Sequence, residues 1–151
     1  MKKLALIAAL AVLILASATG TVFADKSYHS TRLPLALTPE GEAAGHTLLS
    51  GEIVNIHPNG PVNGAIEVYQ VHGALANTDY EVVWDIGGWG PMSTGVVLTT
   101  DRAGNAYSVM KISRDWQIEN GYTDVYLFVR WTMVYGGVTV YETDWHTVYI
   151  D

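Results

Sequence analysis

Three side chains near the C-terminus are spaced so that they could hold a metal ion. Glu142, Asp144 and His146 occupy every second position of a β-rich run. Because side chains alternate between the two faces of a strand, all three would lie on one face, within about 7 Å of each other. Carboxylates and imidazole are ligands for divalent cations. The spacing therefore predicts, as one alternative, a metal-binding protein or a metal-dependent enzyme; no other cofactor is expected.

The preceding strand makes this metal site depend on register. Its cleanest apolar face, which we expect in the core, consists of Val125, Leu127, Val129, Trp131 and Met133. After a regular two-residue turn at Gly136-Gly137, the three metal candidates would lie opposite that face, where unpaired acids are costly. A bulge that shifts the alternation, or a core on the other face, would remove the conflict. A solvated position without any metal is a further alternative.

A tryptophan in a glycine-rich loop is the best candidate for ligand binding. Trp89 has a glycine on each side, and such a residue cannot bury its ring within a regular strand. An exposed indole stacks on sugars and other flat groups. Asp85 precedes the loop, and Trp116 offers a second aromatic surface in a short helix. We expect these three residues to form the ligand site, with a plug at one end of the fold and a core position as the alternatives for the two tryptophans.

The chain offers little for catalysis, so we lean towards a protein that is not an enzyme and assign no catalytic residue. It contains no cysteine, which excludes disulfides, thiol catalysis and cysteine-based zinc sites. No Gly-x-Ser-x-Gly motif and no phosphate-binding glycine loop occurs. His46, His57 and His72 match no zinc motif. The net charge of −7 argues against a nucleic-acid partner.

The N-terminus has the pattern of an export signal. Two lysines precede an apolar run over residues 4–16, and Ala24 fits the small residue before a signal-peptidase site. The run is shorter than the roughly 18 residues of a membrane span. We therefore predict a signal-peptide helix over residues 1–24 and a secreted, extracellular or periplasmic product that is not held in a membrane after cleavage. An uncleaved anchor is the alternative.

Strands must position the candidate residues. Turn signals separate seven β-rich runs, at residues 47–57, 64–74, 80–86, 94–100, 106–112, 124–135 and 138–150. Proline and glycine interrupt residues 25–45, which we interpret as an extended N-terminal segment before a domain over 46–151. Ser113 and Gly121 are suited to begin and end one short helix. The pattern predicts an all-β, seven-stranded antiparallel β-sandwich, with a closed β-barrel as the alternative.

Two resemblances extend this prediction. The run Leu75 to Val83 (Leu-Ala-Asn-Thr-Asp-Tyr-Glu-Val-Val) resembles the tyrosine-corner segment of fibronectin type III and other immunoglobulin-like domains, which implies an immunoglobulin-like sandwich with Tyr80 at the corner. The runs at 50–51, 54–61, 73–74, 77–80, 99–101 and 104–106 are similar to uncharacterised exported proteins of bacteria and archaea. That resemblance implies export and a β-sandwich, and it implies no activity.

Together these patterns favour an exported, non-catalytic binding or structural module. The partner expected for it is a glycan or a protein of the cell envelope. A carbohydrate-binding module that uses loop aromatics is the sharper alternative, and the metal-dependent protein described above is the other.

Overall fold

The described residues of the computed structural model, 29–58 and 63–150, form ten strands and two short helices. The predicted signal peptide lies outside them. Among the described residues, no helix has the length and apolar character needed to cross a membrane. In chain order the elements are β1 (His29–Pro34), β2 (Ala36–Leu37), α1 (Pro39–Ala43), β3 (Ser50–His57), β4 (Asn63–His72), β5 (Asp79–Ile86), β6 (Gly90–Thr99), β7 (Ala106–Ser113), α2 (Arg114–Glu119), β8 (Val125–Tyr135), β9 (Val138–Glu142) and β10 (His146–Ile150).

The strands form two antiparallel sheets that enclose a common core. Sheet 1 has the order β1-β3-β4-β7, and sheet 2 has the order β2-β9-β8-β5-β6, with β10 pairing with β8 beyond the end of β9. Neither sheet closes into a barrel. The prediction of an all-β antiparallel sandwich is confirmed, and the alternative of a closed barrel is wrong. The predicted number of seven strands is also wrong: the described residues form ten, because β1 and β2 were assigned to the N-terminal segment and the last predicted strand is divided into β9 and β10.

Residues 29–43 belong to the sandwich, although the sequence placed them in an extended segment over 25–45. β1 pairs with β3 at the edge of sheet 1, and β2 pairs with β9 at the edge of sheet 2. The prolines do not prevent this pairing, because Pro34 ends an edge strand and Pro39 stands at the start of α1, where no helical N–H is needed.

The turn after β8 forms as predicted, and a bulge follows it. Gly136 and Gly137 both have positive φ angles, as a type I′ turn requires. The ladder then shifts by one residue, so that Tyr141 rather than Val140 lies opposite Met133. Val140 and Tyr141 are both fully buried. The bulge therefore removes the conflict between the acids of the last strand and the apolar face of β8.

A second irregularity divides the last predicted strand into β9 and β10. β9 ends at Glu142, and β10 begins at His146 opposite Val129. Between them, the Thr143 N–H donates to the Trp131 carbonyl (3.0 Å), and the Thr143 hydroxyl accepts from the Trp131 N–H (3.1 Å). One extra residue is thereby accommodated without leaving the backbone of β8 unpaired.

The core lies where the alternation of β8 predicted it. Four of its fully buried side chains are large and aromatic, namely Tyr69, Tyr80, Trp131 and Tyr141. Tyr80, Val82 and Ile86 of β5 are buried, and Trp84 packs against them. The residues that alternate with them point to the outside of sheet 2, where Val83 and Thr132 are nevertheless buried.

Candidate functional site

Four exposed aromatic rings lie together on the outer surface of sheet 2. Phe128 and Trp145 stack with their ring centroids 4.8 Å apart and their planes 11° from parallel. Tyr126 lies opposite Tyr149 in the β8–β10 ladder, with ring centroids 4.7 Å apart. All four residues are exposed, and Tyr126 retains 74% of its accessible surface. We call these four rings the aromatic face.

Backbone geometry explains why the rings point outward. Val129 and Trp131 are buried, so alternation along β8 turns Phe128 away from the core. The Gly87 N–H donates to the Phe128 carbonyl (2.8 Å), and a Cβ atom at position 87 would lie 3.2 Å from the phenyl ring. Glycine therefore leaves room for the ring, while Trp145 reaches it from the break between β9 and β10.

An arginine with two acidic partners borders the aromatic face. Arg130 donates through one terminal nitrogen to Asp85 and through the other to Glu142, each at 2.7 Å. Its guanidinium carbon lies 4.9 Å from the centroid of the Trp145 ring. The group is partly exposed and carries one negative charge in excess when all three side chains are ionised. It places fixed donors and acceptors beside the stacked rings.

The three predicted metal ligands are not brought together. Glu142 is paired with Arg130, Asp144 is exposed in the break, and His146 starts β10. The extra residue between Glu142 and His146 disturbs the alternation on which the prediction rested. Among the described residues, no group of three or more His, Asp or Glu side chains is arranged to hold a metal ion.

Trp89 is displayed as the sequence suggested. It lies in the turn between β5 and β6, where its N–H donates to the Ile86 carbonyl (2.9 Å), and 62% of its surface is exposed. Together with Tyr126 and Phe128 it borders a surface groove of about 240 Å³. The groove continues the aromatic face towards this end of the sandwich, so Trp89 does not plug the core.

Trp116 reaches the same end of the molecule from α2. The Ser113 hydroxyl accepts from the Trp116 N–H (3.1 Å), and Gly121 follows the helix with a φ angle of 75°, as predicted. The Trp116 ring stacks on Tyr122 with a centroid separation of 5.5 Å, and Trp89 approaches Tyr122 at the same distance. The sequence did not single out Tyr122, which joins the two predicted tryptophans.

Asp85 contributes to a different part of this surface. It points to the outside of sheet 2 and pairs with Arg130, whereas Trp116 lies at the end of the sandwich. The predicted trio therefore does not converge on one point. Trp89 and Asp85 border the aromatic face at two of its edges, and Trp116 supports Trp89 through Tyr122.

A second polar cluster lies inside the sandwich. Glu67 of β4 is almost fully buried. Its carboxylate accepts from the Tyr69 hydroxyl, from Asn55 Nδ2 (3.1 Å) and from the indole nitrogens of Trp84 and Trp131 (3.0 Å each). Burial raises the pKa of Glu67, and these four hydrogen bonds oppose the rise. We call Glu67 and its four uncharged partners the carboxylate cluster.

A cavity of about 60 Å³ borders the carboxylate cluster. Its lining includes Trp116, Gln117 and Tyr122 from the region of α2. Gln117 is only 1% exposed, and its Oε1 has no hydrogen-bond partner within the described part of the chain. Sequence reasoning missed this site, because acids on strands are usually solvated. The one available signal was that Glu67 lies on the same strand face as Ala65, Tyr69 and Val71, which occupy every second position.

The three histidines considered as a set lie in separate environments. His46 is buried with its Nδ1 3.0 Å from the Tyr80 hydroxyl, and His72 is exposed beside Asn105. His57 lines the cavity between the sheets. The Tyr80 hydroxyl also meets the Tyr141 hydroxyl at 3.2 Å. Burial lowers the pKa of His46.

The chain matches no protein-family model, no curated protein and no solved structure. Its function must therefore be inferred from the geometry of the aromatic face and of the internal cavity.

Proposed function

We propose that this chain is an exported, non-catalytic carbohydrate-binding module that holds a neutral glycan on the aromatic face and in the groove beside Trp89. The observation that carries the proposal is the exposed Phe128–Trp145 stack with Arg130 and its two carboxylates at its edge. Sugar rings have flat faces of C–H groups and a rim of hydroxyls. A surface for them needs aromatic planes and fixed hydrogen-bonding groups side by side.

The aromatic rings are unusual for a surface that binds nothing. Adjacent exposed rings form an apolar patch, and such patches on soluble proteins mark sites of interaction. Aromatic side chains provide large contact areas with few rotatable bonds, so binding restricts little side-chain motion. The Phe128–Trp145 stack and the Tyr126–Tyr149 pair restrain each other's rings before any ligand arrives.

The charges select a neutral glycan. Asp85 and Glu142 outnumber Arg130 at the edge of the aromatic face, Asp124 lies 3.3 Å from the Tyr149 hydroxyl, and the chain as a whole carries a net charge of −7. A polyanionic polysaccharide would be repelled. Hydroxyl groups of a neutral sugar can donate to the carboxylates and accept from the guanidinium.

The groove sets the scale of the ligand. Its volume of about 240 Å³ is below the roughly 300–1,000 Å³ of pockets for drug-sized molecules. It is suited to one sugar ring between Trp89 and Tyr126, with further rings lying across Phe128 and Trp145. Because both carboxylates nearest these rings are paired with Arg130, they are poorly placed to act as a free acid and base.

The immunoglobulin-like character and export belong to the same proposal. Two facing antiparallel sheets support an immunoglobulin-like layered architecture. Tyr80 does not form the expected tyrosine corner, because its hydroxyl contacts the side chains of His46 and Tyr141 rather than a backbone group upstream of it. We use "immunoglobulin-like" only for the arrangement of two facing layers. The term does not extend to the order of the strands, in which β3 and β4 are neighbours within sheet 1. The basic and apolar pattern of residues 1–24 supports export, which would place the module where it meets glycans.

The test is a binding screen with the full chain against neutral and acidic polysaccharides, followed by titration calorimetry with the best ligand. We expect a neutral glycan to bind, and we expect Trp145→Ala and Phe128→Ala to weaken binding at least tenfold. Trp89→Ala should weaken binding of longer glycans more than that of short ones, because its ring borders only one end of the site.

The matched control is Tyr107→Ala, which removes an aromatic ring that is more exposed than Phe128 and Trp145 from β7 in sheet 1. It should bind the glycan like the unmodified chain. The proposal fails if no neutral glycan binds, or if Trp145→Ala and Phe128→Ala bind unchanged. It also fails if sedimentation shows a dimer that these two substitutions dissociate, since the face would then be an interface between copies.

A further inference from the structure

The cavity between the sheets is separate from the aromatic face. Trp84 and Trp131 point inward, while their neighbours Asp85 and Arg130 point outward, so sheet 2 itself divides the two sites. The cavity lies beside α2, and Trp116 both lines it and reaches solvent. A solute could therefore enter at α2 without touching the outer surface of the sheet.

Four large aromatic side chains contribute to the wall of this cavity. Trp84, Trp116, Tyr122 and Trp131 all line it, and most of the remaining lining residues are aliphatic. The face of an aromatic ring carries negative charge density and attracts a cation that lies within about 6 Å of the ring centroid. Tryptophan is the most effective of the aromatic residues in this respect.

When Glu67 is ionised, the carboxylate cluster carries a negative charge with no positive partner in the cluster itself. All four groups that hydrogen-bond to Glu67 are neutral, and all of them donate to it. They occupy the positions at which a further N–H donor would bind. An occupant that carries a positive charge but no N–H group suits such a site better than a primary amine does.

The size of the cavity limits the occupant further. A water molecule requires about 10–15 Å³ of such volume, so about 60 Å³ accommodates roughly four to six small groups. A nitrogen bearing three methyl groups has this size.

We propose that this cavity binds the methylated ammonium group of a small organic solute, with Trp84, Trp116 and Trp131 around the methyl groups and Glu67 as the counter-charge. Two features agree on this chemistry: the tryptophan side chains in the wall and the buried carboxylate of Glu67, whose hydrogen-bond partners are all neutral. The proposed glycan site on the aromatic face takes no part in binding the ammonium group.

The experiment titrates the full chain with tetramethylammonium chloride and, in parallel, with tert-butyl alcohol, a neutral molecule of similar shape. Sodium chloride keeps the ionic strength constant. Titration calorimetry and tryptophan fluorescence follow binding, since the wall of the cavity is built from tryptophans. We expect tetramethylammonium to bind at least tenfold more tightly than tert-butyl alcohol.

Two substitutions locate the binding and one tests the charge. Trp116→Leu removes a partly exposed wall residue and should weaken binding at least fivefold, whereas Trp145→Leu alters only the outer surface and should leave this binding unchanged. Glu67→Gln should reduce the preference for the cation to less than threefold. If Glu67→Gln does not fold, the comparison of Trp116→Leu with Trp145→Leu still shows whether the cation binds in the cavity.

Equal binding of tert-butyl alcohol would show that the cavity is merely apolar and would overturn the proposal. Absence of tetramethylammonium binding would do the same. Loss of binding in Trp145→Leu with retention in Trp116→Leu would assign the cation to the outer surface and also overturn it.

Discussion

The indole ring of Trp145 stacks on the phenyl ring of Phe128, with a centroid separation of 4.8 Å and nearly parallel planes. The two residues are distant in sequence and meet because the break after β9 brings Trp145 back over β8. The guanidinium carbon of Arg130 lies 4.9 Å from the centroid of the indole ring. The binding surface that we propose is thus preorganised by contacts within the protein.

Replacing Arg130 by lysine should loosen this arrangement. Arg130 uses separate nitrogens for Asp85 and Glu142, and a lysine ammonium cannot reproduce that planar fork. Because the three side chains are partly exposed, we expect a loss of only about 0.5–1 kcal/mol in the free energy of unfolding. Urea denaturation measures that loss, and near-ultraviolet circular dichroism should report a weaker Trp145 signal. An unchanged Trp145 signal would contradict the prediction.

Tyr69→Phe should destabilise the protein far more than the loss of one exposed hydroxyl would. The substitution removes a donor from the buried carboxylate of Glu67 and leaves the ring packing intact. A hydrogen bond to a charged group contributes about 1.5–3 kcal/mol, and we expect a loss in that range from chemical denaturation. Tyr126→Phe removes a hydroxyl from the exposed aromatic face and should change stability by less than about 0.5 kcal/mol. Equal effects of the two substitutions would contradict our description of the carboxylate cluster.

His46 should make stability depend on pH on the acidic side of neutrality. Burial lowers its pKa in the folded state below the ordinary value of 6.5, so the unfolded chain takes up a proton first as the pH falls. The contribution of His46 to stability is therefore present above about pH 6.5 and is lost as the pH falls from there towards its folded pKa. His46→Gln should lack this part of the pH dependence.

The comparison with His46→Gln isolates this effect. The pKa of Glu67 is raised, so the stability linked to Glu67 is present at low pH and is lost as the pH rises, which is the opposite trend. Glu67 is the same in both chains, and its effect cancels in the difference. As the pH is lowered from about 7.5 to about 5, we expect the difference in free energy of unfolding between the two proteins to decrease. A constant difference would show that His46 titrates alike in both states.

Gly104 should tolerate alanine much less well than Gly95 does. Both have positive φ angles, +77° and +75°, so alanine strains the backbone at either position. At Gly104 a Cβ atom would also lie 2.1 Å from the Ala74 carbonyl oxygen, whereas nothing lies within 4 Å at Gly95. Thermal unfolding should show a loss of about 1 kcal/mol for Gly95→Ala and about 3 kcal/mol or more for Gly104→Ala. Similar losses for the two substitutions would show that the loop at Gly104 moves away from the Ala74 carbonyl and relieves the contact.

Local patterns predicted the strands, the two-residue turn and the short helix. Alternation identified the inward face of β8, and the signals of Gly136-Gly137 and Ser113 depend only on residues close to them in sequence. The edge strands β1 and β2 were missed because prolines such as Pro34 and Pro39 usually indicate a loop. Only the structure shows that Pro34 ends an edge strand and that Pro39 begins a helix.

The candidate sites depended on contacts that no local pattern contains. The extra residue at Val140 follows from packing Tyr141 into the core, so sequence could not decide on which face Glu142 lies. Glu67 is held by Trp84 and Trp131, whose positions depend on how one sheet packs on the other. Trp89 was found from sequence because its flanking glycines are a local signal.

The carboxylate of Glu67 has one more consequence for the sandwich. It projects from sheet 1, and the two indole nitrogens that donate to it belong to sheet 2. Apolar layers can slide across each other at little cost, but a shift by one residue, about 3.3 Å, would break both bonds. The cluster therefore locks the two layers in one alignment, the task that an inter-sheet disulfide performs in antibody domains and that no residue of this cysteine-free chain could perform covalently.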